Sequence, residues 1–212
     1  MFSTAIVNKT LTNRLYFMTY SSGITAQWHK LITDAQLESG VQLDLPIESY
    51  LVHTLINYTQ RPEIAARIFA IDYLLAQHEQ GRTRNLQLRE IADQCLLYAG
   101  LFPQHSKRRN VSVSYYVDIG RGAYSDLSQE DNAWSDIFAE LSDNFVTLMD
   151  TLLAIHHLDS NEPDDYILDP ILALKTWQQT QSKQALKIFQ QQTRSSNIVD
   201  FTSRLPNRRN IH

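Results

Sequence analysis

Lys107–Tyr124 reads KRRNVSVSYYVDIGRGAY, and the fold class turns on how this stretch is wound. Val111, Val113, Tyr115, Val117 and Ile119 alternate with Ser112, Ser114, Tyr116, Asp118 and Gly120. Such alternation is the mark of a half-buried strand. A strand needs a partner, and no second alternating run stands nearby. Wound as a helix, the same residues put Val113, Tyr116, Val117, Gly120, Tyr124 and Leu127 on one side, with Ser112 placed to cap the start. Gly120 on that side permits another helix to come close, at about 1 kcal/mol of propensity relative to alanine. The helix is the better reading. GRG is not a nucleotide loop. It lacks the third glycine of a dinucleotide fingerprint and the GK[ST] of a phosphate loop.

Outward from this stretch the periodicity is helical. LQLREIADQCLLYAG carries one apolar stripe of Leu88, Ile91, Ala92, Cys95, Leu96 and Ala99. Gly100 is placed to end it in a left-handed conformation, and Pro103 blocks re-entry. GRTRN before it reads as a short loop. Pro46 opens IESYLVHTLINY, with Ile47, Tyr50, Leu51, Thr54, Leu55 and Tyr58 on one face. Pro62 opens a further helix, with Ile64, Ile68, Ile71 and Leu75 recurring on its apolar side. Residues 131–158 read as one long helix, because Trp134, Phe138, Leu141, Phe145, Leu148, Leu152 and Ile155 repeat at spacings of four and three. Asp169 caps and Pro170 begins a last helix, with Leu174, Trp177, Gln181, Ala185 and Ile188 in line. RLYFMTY and SSGITAQWHKLI, in the first 45 residues, give a weaker helical signal. The expectation is an all-α, single-domain bundle of six to nine helices over residues 1–192. A polar, basic tail over 193–212 is expected to be mobile or to dock late.

At 43% hydrophobic residues, the 212-residue chain can bury a substantial core. A chain of this size removes roughly 70% of its unfolded surface from water. Six glycines and six prolines are too few for the turns of an all-β sandwich. Cys95 has no second cysteine to pair with, which fits a reducing compartment. MFSTAIVNKT has no basic segment followed by an apolar core, and no apolar run approaches the ~18 residues of a membrane span. The reading is a cytoplasmic protein without membrane contact. The net charge of −4 conceals segregation: residues 126–169 hold 12 carboxylates and no Lys or Arg, while 82–125 and 170–212 are net basic. Such blocks suit interaction surfaces, or neighbours packed together within the fold.

The densest polar and aromatic cluster is Arg108, Arg109, Tyr115, Tyr116, Asp118, Arg121 and Tyr124. Arginine forks match carboxylates and phosphates, and tyrosine adds a hydroxyl on a stiff ring. These seven residues are the candidate ligand-binding set. The plainer account pairs Asp118 with Arg121 on one helix face and turns Arg108 and Arg109 toward the acidic block. His156 and His157 are adjacent on a helix and point about 100° apart, so they do not share a metal site, and dipole compensation accounts for them. Cys95 lies on an apolar stripe and reads as a small hydrophobe, with His105 the local candidate for a base. Asp72, inside IFAIDYLLA, must be paired or protonated if buried; a salt bridge to a core arginine is the leading reading, and lining a pocket is the alternative. LREIADQ is similar to the first helix of a helix-turn-helix, but the glycine turn is missing and a pI near 5.9 opposes binding to phosphate backbones.

Residues 88–127, LREIADQCLLYAGLFPQHSKRRNVSVSYYVDIGRGAYSDL, resemble a segment of a family of bacterial proteins of unassigned function. The similarity lies in DQCLLYAGLFP, the RR ahead of VSV, and YYVDIGRGAY, and more weakly in ESYLVHTL. The resemblance implies a bacterial, single-domain helical protein and brings no catalytic residue set with it.

With no catalytic constellation and no cofactor or metal motif, the function expected is a non-enzymatic interaction or regulatory module. It would join a protein partner or a second copy of itself. The alternative is an enzyme or sensor that holds a small anionic ligand among the seven residues. Arginines converging in one concavity would favour the alternative. An exposed apolar patch would favour the interaction module.

Overall fold

Residues 23–60, 69–159 and 168–203 are described by a computed structural model, and every regular element among them is a helix. In chain order they are α1 (Ile24–Ser39), α2 (Leu45–Gln60), α3 (Phe69–Ala76), α4 (Gly81–Gly100) and α5 (His105–Arg108). Then follow α6 (Val113–Ser128), α7 (Ser135–Asp143), α8 (Phe145–Asp159), α9 (Pro170–Thr180) and α10 (Lys183–Ser203). The helical class expected from the sequence is the observed one. The ten helices among the described residues exceed the upper expectation, and two long stripes are broken.

The stretch that decided the class is α6. The Ser112 hydroxyl accepts the Tyr115 N–H at 3.2 Å and so caps it. Val113, Tyr116, Val117, Gly120, Ala123, Tyr124 and Leu127 form its buried face. A helix wins over a strand here because α4, α7 and α8 supply apolar surface along that face. Gly120 sits where a Cβ would stand 3.0 Å from Cys95 Cβ and closer still to the Phe145 ring. Its missing side chain is what lets α6 lie against α4 and α8 together.

α4 is the hub and packs on α6, α8 and α3. Its expected stripe is fully inside, from Leu88 to Ala99. Two details differ from expectation. GRTRN is the first turns of α4 rather than a loop, since Arg84 is tied to Glu130 at 2.8 Å and to the Gln77 amide oxygen at 3.2 Å. Gly100 is helical and not left-handed. A Cβ there would meet Leu152 Cβ at 2.5 Å and the Met149 carbonyl oxygen at 3.2 Å, so the glycine serves contact with α8. Chain reversal falls to Leu101–Gln104 around the buried Pro103.

The stripe of residues 131–158 is divided at Asn144. The Asn144 side-chain amide donates to the Glu140 carbonyl at 3.0 Å, while its own carbonyl accepts from Leu148 N–H at 2.9 Å. One helix therefore stops and another starts on the same residue. Trp134, expected on the stripe, precedes α7 and is 55% exposed. The helix opened by Pro170 breaks likewise. Asp169 Oδ1 caps α9 through Ile171 N–H and Leu172 N–H, both at 3.1 Å, as expected. Gln181 then turns left-handed at φ 61°. The buried Asp150 carboxylate of α8 takes up the start of α10, accepting from Lys183 N–H at 2.9 Å and from the Ser182 hydroxyl. That break needs a carboxylate from a distant part of the chain, which no local periodicity announces. α10 runs on to Ser203, past residue 193, where composition suggested a tail. RLYFMTY, Pro62, Ile64 and Ile68 lie outside the described residues.

Candidate functional site

The seven residues of the expected ligand set are placed in separate environments. Tyr124 is wholly buried, and its hydroxyl donates to Asp93 Oδ1 at 2.7 Å. Tyr116 is buried and stacks on Tyr98, with ring centroids 5.4 Å apart and planes 19° from parallel. The Tyr115 hydroxyl accepts the Ala70 N–H at 3.0 Å and so anchors the start of α3. Asp118 and Arg121 are exposed on the outer face of α6, and Arg108 and Arg109 are exposed at the end of α5. Arg109 lies near enough to the Tyr98 and Tyr116 phenols to oppose, by its charge, the rise in their pKa that burial causes. Lys107, left out of the set, pairs with Asp169 of the acidic block.

Two further residues weighed in the sequence have structural positions. Cys95 is fully buried, and burial pushes its thiol well above the ordinary value, which opposes nucleophilic chemistry. His156 Nε2 lies 2.9 Å from the Leu101 carbonyl oxygen.

A polar centre that the sequence did not single out joins α2, α4 and α6. Asp93 Oδ1 accepts from the Tyr50 and Tyr124 hydroxyls, each at 2.7 Å. Arg89 Nε donates to the Tyr50 hydroxyl at 3.1 Å and lies 3.7 Å from Asp93 Oδ2. Its guanidinium also sits over the Tyr50 ring, 5.0 Å from the centroid. Burial raises the Asp93 pKa, against the two phenol hydrogen bonds and the Arg89 charge, which lower it. Tyr50 and Tyr124 are held well above their ordinary value, first by burial and then by the neighbouring carboxylate. Both phenols therefore keep their protons and remain donors. Phe138 and Phe145 close the aromatic shell around Tyr124. The centre is a satisfied junction that fixes three helices in register.

The exposed chemistry lies on α3 and the adjoining face of α4. Three contacts hold α3 by one side. Phe69 packs edge-on against Tyr98 and Tyr116. Ala70 N–H meets Tyr115, and the Tyr73 hydroxyl donates to Asp126 Oδ2 at 2.6 Å. The opposite side carries Ile71, Leu74 and Leu75, which share one face by their spacing. They are 50%, 62% and 59% exposed. The expectation that Ile71 and Leu75 belong to the core is thus overturned: Phe69 and Ala76 are the buried residues of α3. FAIDYLLA is apolar on nearly every side, and an apolar periodicity cannot say which side meets the core. Leu86, 57% exposed, stands on α4 one turn before Glu90.

Between the two helices is an open cleft of about 170 Å³ lined by Asp72, Leu75, Gln87, Glu90 and Ile91. Small-molecule pockets run to ~300–1,000 Å³. A cavity of ~150 Å³ holds one benzene. The cleft is therefore sized for a single large side chain. Two carboxylates and one amide line it beside the apolar walls of Leu75 and Ile91. Asp72 is in the pocket-lining place its position in the sequence allowed. Within α4 the Gln94 amide donates to Glu90 Oε1 at 3.1 Å, Arg84 is paired with Glu130, and Arg89 with Tyr50 and Asp93.

No family model, curated protein or solved structure matches the chain.

Proposed function

We propose that the protein is an interaction module that binds a basic, partly apolar segment of a protein partner across α3 and α4. One observation carries the reading. A cleft with room for one side chain, lined by Asp72 and Glu90, opens beside the exposed Ile71, Leu74 and Leu75. A lysine or arginine is suited to such a place. Its methylene stem covers apolar walls while its charged head meets carboxylates. Apolar residues around the mouth would exclude water from the ion pair, the arrangement of an interface anchor and its rim. Exposed large apolar side chains clustered on one face also support a partner surface over a plain solvated one.

The test is selection of peptides from a random displayed library on the intact protein. The enriched peptides are expected to carry Lys or Arg flanked by apolar residues. They are expected to lose at least tenfold in affinity against Leu74→Ser/Leu75→Ser and against Glu90→Lys, and to weaken as salt rises. Peptides without a cation, or peptides indifferent to those variants, would overturn the reading.

A further inference from the structure

We propose that α5 is an acid-released latch, undocked from the rings of Tyr98 and Phe102 when His105 gains a proton. α5 lies between two turns of the chain. The reversal at Leu101–Gln104 precedes it, and Asn110 follows at φ 53°, a left-handed conformation that asparagine tolerates. The His105 ring meets Tyr98 with centroids 5.5 Å apart and planes at 90°, and Phe102 at 5.8 Å and 79°. Ser106 beside it is fully buried, whereas Lys107, Arg108 and Arg109 are exposed. The two inward side chains and the Lys107 pair with Asp169 hold α5 to the bundle. The hold has little in reserve, because Ser106 Oγ is buried with no hydrogen-bond partner among the described residues.

His105 Nδ1 is buried too, and among the described residues no hydrogen bond reaches it. A neutral imidazole can leave that nitrogen bare. An imidazolium carries N–H on both nitrogens and would place one there without an acceptor. Among the described residues, the titratable and charged groups around the ring come from four helices and the turn after α5. α4 brings the Tyr98 phenol, α6 the Tyr116 phenol stacked on it, and α2 the Tyr58 phenol beyond Phe102. Burial raises the pKa of all three, so they stay neutral as the histidine titrates. Lys107 and Arg108 of α5 and the following Arg109 are cations, and Asp169 ahead of α9 is paired with Lys107. Burial first, then Arg108 and Arg109, hold the His105 pKa below its ordinary 6.5. The Phe102 carbonyl, which accepts the His105 backbone N–H at 2.9 Å, favours the cation and is outweighed. A released ring therefore binds a proton that the docked ring resists. The contribution of docking is whole above pH 6.5 and is lost progressively as pH falls below it. Release uncovers Tyr98 and Phe102, and it removes a neighbour from the ring cluster in which Phe69 anchors α3.

Two measurements on the full chain test the latch. In an NMR titration the His105 ring is expected to take its proton below pH 6.5. In hydrogen exchange, corrected for the intrinsic effect of pH, opening of residues 104–110 is expected to rise ~threefold or more between about pH 7.5 and about pH 5.5, within a limit of ~tenfold per pH unit. His105→Phe keeps a ring against Tyr98 and takes no proton, so its opening is expected to stay level. Arg108→Gln, at an exposed position, is expected to bring the His105 titration closer to 6.5. A histidine that titrates at or above 6.5 overturns the inference, since the ring faces would then favour the cation. So does opening in the wild type that stays level across the range. A rise shared equally by wild type and His105→Phe overturns it as well, because the proton would then act elsewhere. If His105→Phe does not fold, the two wild-type measurements decide alone.

Discussion

The Tyr124 hydroxyl of α6 donates to Oδ1 of Asp93 on α4 at 2.7 Å, in the interior of the bundle. The same oxygen receives the Tyr50 hydroxyl of α2. One carboxylate thus satisfies two buried phenols, and Arg89 balances part of its charge. Removing it leaves two donors and a cation without their acceptor. Asp93→Ala strands two buried phenol donors at about 1–3 kcal/mol each, while the half-exposed Arg89 regains water, so the expected cost exceeds that of losing either phenol. Tyr124→Phe removes one charge-assisted bond and is expected to cost about 1.5–3 kcal/mol. For a chain of this length, each kcal/mol lowers Tm by roughly 2–4 °C. Thermal unfolding of both variants checks the order. Equal losses would deny Asp93 its shared role.

The pH dependence of that centre has a definite sign. Burial, outweighing the bonds from Tyr50 and Tyr124, raises the Asp93 pKa above its ordinary 3.8. The folded state thus favours the protonated acid, whose stabilising contribution is complete below the ordinary value and is lost as pH rises through the raised one. Asp93→Asn keeps an acceptor for the phenols and has no proton to lose. The stability of wild type relative to Asp93→Asn is expected to fall as pH rises from about 3.8. Tm measured for both proteins from acid to neutral pH tests this, and parallel curves would contradict it. Asp150, whose pKa burial also raises, is present in both proteins and cancels in the difference.

Two glycines are held by contact rather than by backbone conformation. Gly120→Ala drives a methyl into the Phe145 ring and Gly100→Ala drives one into Leu152 and the Met149 carbonyl. Alanine raises helix propensity by about 1 kcal/mol at each site, and overpacking costs about 1–3 kcal/mol or more. The expected net result is loss of stability in both variants, seen as a lower denaturation midpoint at unchanged m-value. A gain in either would mean that α8 stands farther off than described.

Asp150 fixes where α9 ends and α10 begins. Its carboxylate accepts from Lys183 N–H at 2.9 Å, from Gln184 N–H at 3.4 Å and from the Ser182 hydroxyl. Asp150→Ala removes a cap and strands buried donors, with an expected loss of about 1–3 kcal/mol. Hydrogen exchange should show the loss first at Lys183 and Gln184. Protection unchanged there would mean that the two N–H groups find another acceptor.

Much of the fold was legible because burial imposes a 3.6-residue period on whichever face it takes. Leu88 to Ala99 and Val113 to Leu127 were read correctly for that reason. What failed were the ends and breaks. Asn144 and Gln181 interrupt stripes whose apolar spacing runs on unbroken, because the interruptions depend on hydrogen bonds rather than on hydrophobicity. The site was less legible still. Arginines and tyrosines close in sequence suggested one ligand set. On a helix, residues one or two places apart point about 100–200° from each other, and Tyr116 ended inside while Asp118 ended outside. Asp72 within an apolar run was read first as the partner of a core arginine, and only as an alternative as the lining of a pocket, where it stands.

By itself the sequence determined that the chain coils into helices with Val113–Leu127 turned inward, since a periodic apolar face has no other way to leave water. Tertiary packing alone decided that Asp93 would be shared by two tyrosines and that Ile71, Leu74 and Leu75 would be left outside. Those outcomes depend on which distant helix arrives at each face, and a helix that is apolar all round gives its neighbours a choice that only their arrangement makes.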